Sequence, residues 1–414
     1  SFAYTRHTIA ITSSVKTIEE YAFYQTSNLA LSCSQSFQIE TIKNRAFSLA
    51  TFRSSYSYQF PYVTTVESYA FAQCSCNSIN LPILTTVEPY SFYAARISSL
   101  YLGSVENISS YAFQNAVTAY FSFSSRLASL DLSAFDGCTK VHTFTGCGTS
   151  GTYKTSENCL IKETTIIVGP KYFSPIYWPS IATRIGKRAF QGARTTTSYT
   201  YRLTMGTSIV QIDEYAFSSL PLLTSLVFKV RCIIGPHAFD SCTSLTSVSL
   251  ATSVINETSF FRCGGLSSFS ITTGSPYTTT SYGLLSGNQI ICGLRTITSC
   301  TLESSVTTIA NCAFANNQVQ RIQFSSALTT IGNYAFDSCT SLRTIDLPST
   351  VTTIGDFAFS GCTYLNSITI PNSVTTIGSN AFERTIITSM NINQPVSQIS
   401  DFLFASCSKL LSIN

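Results

Sequence analysis

The chain is short of charge. Asp, Glu, Lys and Arg together make up 11% of its 414 residues, against a usual ~25%. The net charge is +4 and no Lys/Arg run exists, so the phosphate grip of a nucleic-acid binder has no source. Histidine is equally scarce, with His7, His142 and His237 scattered along the chain, so a zinc site of four convergent nitrogen and sulfur ligands has little to draw on. No uninterrupted apolar run reaches the 18 or more residues of a membrane-spanning helix. The chain opens at Ser1 without a charged-then-apolar leader. No G-x-S-x-G, H-E-x-x-H, P-loop or G-x-G-x-x-G occurs, and the carboxylates are few and dispersed. The reading is of a protein that performs no chemistry and needs no cofactor.

What is present fills the gaps. Apolar residues make up 44%, including 29 Phe and 22 Tyr, which is too much core-forming material for a disordered chain. Ser and Thr stand where Lys and Glu would ordinarily be.

The aromatic residues are periodic. A Phe, usually preceded by Ala, recurs at Phe23, Phe47, Phe71, Phe92, Phe113, Phe135, Phe190, Phe217, Phe239, Phe260, Phe314, Phe336, Phe359, Phe382 and Phe404. Most intervals are 21 to 24 residues. Self-similarity at this period marks a solenoid. The clearest copies run from Leu342 to Cys362 and from Leu365 to Phe382, with the pattern L-x-x-I-x-[LI]-P-x-x-V-x-x-I-G-x-x-A-F-x-x-C. The I-x-[LI] alternation places two side chains on one face of a short strand. The Pro after it ends that strand, because it cannot donate to a ladder. V-x-x-I-G re-enters the core, and Ala-Phe-x-x-Cys suits one helical or 3₁₀ turn with Phe as the core plug. A single coil encloses nothing, whereas stacked coils share a core. The expected fold is a leucine-rich-repeat type solenoid, β-rich with short helical or 3₁₀ turns. It is a curved right-handed stack of about 15 or more coils of ~23 residues, one array over residues 1–414 with both ends falling inside the array.

Two intervals are long, Phe135 to Phe190 and Phe260 to Phe314. Each contains two apolar runs about a polar turn, at Lys162-Glu163 and Ser286-Gly287-Asn288, and each is read as a β-hairpin insertion, near 151–178 and 275–300. Phe260 lies 125 residues after Phe135, which points to duplication of a larger block.

Fifteen cysteines look at first like a disulfide framework. Seven of them stand three residues after the Phe: Cys74, Cys138, Cys242, Cys263, Cys339, Cys362 and Cys407. In other copies that slot holds Ala50, Ala95, Ala116 or Ala193. A slot that accepts Ala is a small packing position. Cys147, Cys159, Cys292 and Cys300 lie outside it, and disulfides among those four are left open.

This repeat resembles the BspA-like (Treponema pallidum-type) leucine-rich repeats of bacterial surface proteins and parasitic protists, most specifically over Leu342–Cys362 and Leu365–Phe382 and more loosely from Ile9 onward. Phe60-Pro61, Leu127 and Leu130 depart locally from the pattern. The resemblance implies a cell-surface or secreted protein that adheres to host extracellular-matrix, cell-surface or microbial proteins, with no catalytic residues to carry over. The alternative is an intracellular scaffold, to which free cysteines are suited.

Recognition would fall to the outward strand positions, a neutral hydroxyl strip in which Tyr101, Arg321, Arg343 and Asp346 stand out as partner-binding candidates. A second stripe of Thr pairs, such as Thr329-Thr330 and Thr352-Thr353, presents a regular hydroxyl array. Asn107-Ile108-Ser109 and Asn256-Glu257-Thr258 are glycosylation sequons if the chain enters a secretory pathway.

Overall fold

A computed structural model describes residues 8–32, 36–53, 57–138, 140–147, 151–171, 176–193, 200–294, 297–390 and 400–413. The chain forms two compact units, Ser1–Thr197 and Ser198–Asn414. Each is a run of β-coils; together they make about 17 turns with almost no helix. Coil follows coil in parallel register, shifted by one repeat. In the first unit the I-x-L segments Ser57–Gln59, Ser75–Asn80, Arg96–Leu102, Tyr120–Phe123 and Thr143–Thr145 form one five-stranded parallel sheet. In the second, Tyr201–Thr204, Leu223–Val227, Ser247–Leu250 and Ser268–Ile271 do the same. The V-x-x-I segments make a separate ladder of two-residue strands, for example Thr308–Ile309, Thr330–Ile331, Thr353–Ile354 and Thr376–Ile377. Phe60, Leu127 and Leu130, the local departures from the pattern, are buried like the residues they replace.

The Ala-Phe turn differs from expectation in most coils. It is a 3₁₀ helix at Leu132–Phe135, N-capped by the Asp131 carboxylate. In most other coils the backbone is left-handed two residues before and two residues after the Phe: Tyr69 and Gln73 around Phe71 (φ 60° and 54°), Tyr334 and Ser338 around Phe336 (φ 56° and 58°). The alternation turns successive N–H groups to the same side. Tyr334, Phe336 and Ser338 therefore donate to the carbonyls of Asp356, Ala358 and Ser360 in the next coil, at 2.8, 2.8 and 2.7 Å. A left-handed residue other than Gly costs roughly 1–2 kcal/mol. Inter-coil hydrogen bonds of about 1 kcal/mol each offset that strain. A continuous helical turn would aim its N–H groups back along its own chain instead.

Inside, the Phe plugs stack face to face. Phe314–Phe336, Phe336–Phe359 and Phe359–Phe382 lie 5.2, 5.3 and 5.6 Å apart with planes within 3°. Phe23–Phe47, Phe47–Phe71 and Phe71–Phe92 repeat this in the first unit at 5.2, 5.2 and 5.3 Å. These spacings slightly exceed the ~4.8 Å between paired strands, as offset stacking requires.

The cysteine slot is a packing position with a second duty. The thiols of Cys138, Cys242, Cys263, Cys339, Cys362 and Cys407 donate to the carbonyl of the preceding coil's plug, Phe113, Phe217, Phe239, Phe314, Phe336 and Phe382, at 3.0–3.3 Å. All 14 cysteines among the described residues are free, Cys147, Cys159, Cys292 and Cys300 included. Burial pushes the Cys138 and Cys339 thiols up to about 12, which removes the nucleophilic thiolate.

Each insertion is a three-stranded antiparallel meander rather than a hairpin alone: Tyr153–Ser156, Cys159–Lys162 and Thr165–Val168, then Thr278–Thr279, Gly283–Ser286 and Gln289–Gly293. The turns fall at the two predicted places. The last strand of each meander enters the V-x-x-I ladder, pairing with Arg184–Ile185 and with Thr308–Ile309. The two insertions are built alike. The Tyr277 hydroxyl accepts from the Ile255 amide at 2.9 Å and donates to the Ile255 carbonyl at 3.4 Å, so it covers an exposed strand edge. The Tyr153 hydroxyl is hydrogen-bonded to the Leu130 backbone. Gly169 and Gly293 then take the place of a plug. Their N–H groups donate to Ala189 and Ala313 at 3.0 and 2.7 Å. A Cβ on either would fall 2.0 or 2.2 Å from the ring of Phe190 or Phe314. At the first insertion the buried Lys171 Nζ donates to the carbonyls of Ala189 and Gln191 at 3.1 Å and of Arg188 at 3.4 Å. It supplies donors that a preceding coil would otherwise provide.

Candidate binding face

The outward positions of the I-x-L strands hold the predicted candidates. In the first unit Tyr101 is 45% exposed and lies in register between Asn80 and Ser122. Beside it stands a residue that the pattern had not singled out. Tyr120 is 52% exposed, in register with Ser99, and its ring is 6.0 Å from that of His142. The alternation Tyr120-Phe121-Ser122-Phe123 carried the signal, with the two Phe inward and Tyr120 outward.

In the second unit Arg321 and Asp346 come together. Both line a groove of ≈ 820 Å3 formed by segments of three consecutive coils, 299–301, 321–324 and 346–348. Both are exposed, and no ion pair among the described residues joins them. The groove sits where the strand ladder is interrupted. Ser299–Thr301 pairs with Arg321–Gln323, and Thr344–Asp346 with Ser367–Thr369, but the two pairs form separate sheets. One long backbone bond, Arg343 N–H to the Gln320 carbonyl at 3.4 Å, marks the entry to the gap. Arg343 is exposed at the rim, its guanidinium 5.6 Å from the Tyr364 ring, outside the groove lining.

The Thr stripe is committed to the fold. The hydroxyls of Thr329, Thr352 and Thr375 donate to the carbonyls of Thr307, Thr329 and Thr352 at 3.1–3.3 Å. Asn107 and Asn256 are both exposed, and the Asn256 side-chain oxygen accepts from the amide and the hydroxyl of its own sequon Thr258.

Stacked side chains run along the left-handed position before several successive plugs. Tyr69–Tyr90 and Tyr90–Tyr111 stack at 5.0 and 5.4 Å, and the Arg45 guanidinium lies 5.7 Å from the Tyr21 ring and 5.1 Å from the Tyr69 ring. Tyr334–Phe357 stacks at 4.7 Å in the second unit. The recurring Tyr-Ala-Phe was its signal, hidden because a helical reading of the turn would not align these rings.

Among the described residues no group of three or more His, Cys, Asp or Glu is placed to hold a metal ion, and no helix is long and apolar enough to cross a membrane.

No curated relative matches the chain. Among solved structures it is similar to a leucine-rich cell surface protein of Faecalibacterium prausnitzii, at 18% identity over 99% of this chain and 79% of that one with a TM-score of 0.40. It is also similar to the pneumococcal vaccine antigen PcpA, at 15% identity over 91% and 73% with a TM-score of 0.43. A leucine-rich repeat protein of T. pallidum aligns at 22% identity over 52% and 69%, with a TM-score of 0.24. The BspA type leucine rich repeat region matches in six copies, over residues 1–82, 64–167, 170–282 and 287–411. With the repeat matched along nearly its whole length, the chain belongs to the BspA-type leucine-rich repeat family.

Proposed function

We propose that this is a non-enzymatic, adhesin-like protein of the cell surface or of secretion, which recognises host or microbial proteins through the outward face of its I-x-L strands. The observation that carries the reading is the groove in the second unit. There an otherwise neutral hydroxyl face gathers Arg321 and Asp346, unpaired with each other and open to solvent. Exposed Tyr101 and Tyr120 give the first unit a matching aromatic feature, of the kind that concentrates binding energy at protein interfaces. The printed descriptions of the F. prausnitzii protein as a cell surface protein and of PcpA as a vaccine antigen agree with such a placement.

The test is binding of the purified chain to extracellular-matrix proteins and to host and microbial cells. Saturable binding that falls on substitution of strand-face residues supports the reading. Absence of saturable binding to every member of the panel overturns it.

A second reading, a cytoplasmic scaffold, is favoured by one observation. All described cysteines are free, as a reducing compartment allows. Localising the full-length protein on intact cells separates the two. Surface labelling, with glycans at Asn107 and Asn256 where the source glycosylates, supports the first; an exclusively internal protein supports the second.

A further inference from the structure

The strand-face reading names no partner chemistry, and the groove supplies one. Ile322 and Ile345 occupy the same inward slot of consecutive coils, each the central residue of its strand. Arg321 and Thr344 are therefore equivalent positions, and so are Gln323 and Asp346. Arg321 and Asp346 are separated by one coil and by two residues along the strand. With a rise of ~3.3 Å per residue and ~4.8 Å between strands, their backbone positions lie about 8 Å apart. The groove thus offers a cation from one coil and an anion from the next, while the Gln323 side-chain oxygen accepts from the Thr301 hydroxyl of the preceding coil at 3.2 Å.

That spacing selects among ligands. A ligand that engages both side chains must present an acid to Arg321 and a base to Asp346. In an extended peptide, side chains two residues apart leave the same face about 6.6 Å apart along the strand. This is the same two-residue step that separates Arg321 from Asp346 along the coil. The strand ladder is interrupted between the two coils that carry them.

We propose that this groove binds an extended peptide segment bearing an acidic and a basic side chain two residues apart, the acid against Arg321 and the base against Asp346. The proposal rests on the strand-face reading and adds the chemistry of the partner. Because both contacts are exposed, binding weakens as salt rises.

Synthetic ten-residue peptides on a Gly/Ser background test it, measured with the whole chain by fluorescence anisotropy at low salt. A Glu-x-Lys peptide is expected to bind saturably and better than its Gln-x-Gln counterpart. Arg321→Gln and Asp346→Asn each weaken it by about threefold or more, the upper range for an exposed charge pair. Asp346→Lys transfers preference to a Glu-x-Glu peptide, an exchange that mere unfolding cannot produce. Equal binding of charged and neutral peptides, or indifference to all three substitutions, overturns the proposal. Failure of the broader reading looks different. If matrix or cell binding is found and survives Arg321→Gln and Asp346→Asn, the groove assignment falls and strand-face adhesion stands. If the peptide binds as described but no protein or cell does, adhesion falls and the groove stands.

Discussion

Removing a plug from the middle of a stack measures how the fold is held. Phe336 is fully buried, with Phe314 and Phe359 stacked on its two faces at 5.2 and 5.3 Å and Phe324 edge-on at 6.2 Å. Phe336→Ala empties a ring-sized volume between two flat neighbours that cannot close on it, because their own backbones are tied coil to coil. Large-to-small changes of this kind cost about 3–5 kcal/mol. Losing two stacking contacts puts this site toward the upper end. In a solenoid each coil contacts mainly its neighbours, so the cost is local. Amide exchange is the assay. The amides bonded across the neighbouring coils, from Phe314 to Ala335, Asn316 to Asp337, Phe336 to Ala358 and Ser338 to Ser360, should lose protection by roughly a thousandfold, which is about 4 kcal/mol. Those of Phe71 and Phe92 should keep theirs. Phe336→Leu should recover more than half of the loss. A cost below about 1.5 kcal/mol, far under the range for deleting a buried ring, or a loss spread evenly over both units, would refute the plug-and-stack account.

The ladder thiols should be inert to thiol reagents in native protein at pH 8 and react fully once unfolded; rapid native labelling of Cys138 or Cys339 would contradict their burial. Their folded-state pKa of about 12 lies above the ordinary 9.0, so the folded state binds more protons in that window. Stability is therefore complete below pH 9 and falls as pH rises toward 12, by up to ~1.4 kcal/mol per pH unit for each such thiol. An unfolding midpoint that stays flat from pH 9 to 11 would count against this. Gly169→Ala and Gly293→Ala should each destabilise by about 2 kcal/mol or more, through overlap with the rings of Phe190 and Phe314. Gly192→Ala, with open space around its would-be Cβ, should show only the ~1 kcal/mol of a left-handed residue; equal costs at the three sites would be inconsistent with the contacts described. Lys171→Met leaves three carbonyls without their ammonium donor and should loosen Arg188–Gln191 in amide exchange, whereas Lys171→Arg should retain much of the protection.

The repeat was legible because one residue type does one job in every coil. Phe at the plug, Ile and Val on the strands and Cys or Ala beside the plug all report burial, and burial is what periodic hydrophobicity encodes. The two insertions were legible as breaks in that period, and their central turns carried the usual polar residues. The turn around the Phe was not legible. Left-handed Tyr69, Arg45 or Phe357 breaks the local preference of its own residue type, and only hydrogen bonds to the next coil make the conformation worthwhile. The same holds for the thiols. Interchange with Ala revealed a small buried slot, whereas the donor role depends on where the previous coil's carbonyl points. Of the binding candidates, Arg321 and Asp346 were found as charges on a neutral strip. That they share a groove, and that Arg343 lies beyond it beside Tyr364, follows from a gap in strand pairing that no residue type announces.

That gap also separates stability from recognition in the second unit. Along residues 299–382 the inner and rear connections are unbroken. Phe314, Phe336, Phe359 and Phe382 stack without a missing step, the V-x-x-I strands pair continuously from Thr308 to Ile377, and Asn311, Asn333 and Asp356 each accept, through a side-chain oxygen, an amide of the following coil at 2.7–2.8 Å. On the I-x-L face the strands of the same coils pair only two by two, with one long bond from the Arg343 N–H to the Gln320 carbonyl between the pairs. Outward residues on that face consequently contribute little to holding the stack together. They can be exchanged at a cost near the ±0.5 kcal/mol of ordinary surface positions, whereas the plug behind them cannot. Scarcity of charge then has a mechanical basis. Plugs, thiols, amides and hydroxyls tie the coils along their length, ion pairs between coils are few, as at Lys16–Glu40, Lys43–Glu19 and Arg262–Asp337, and none among the described residues joins Arg321 to Asp346.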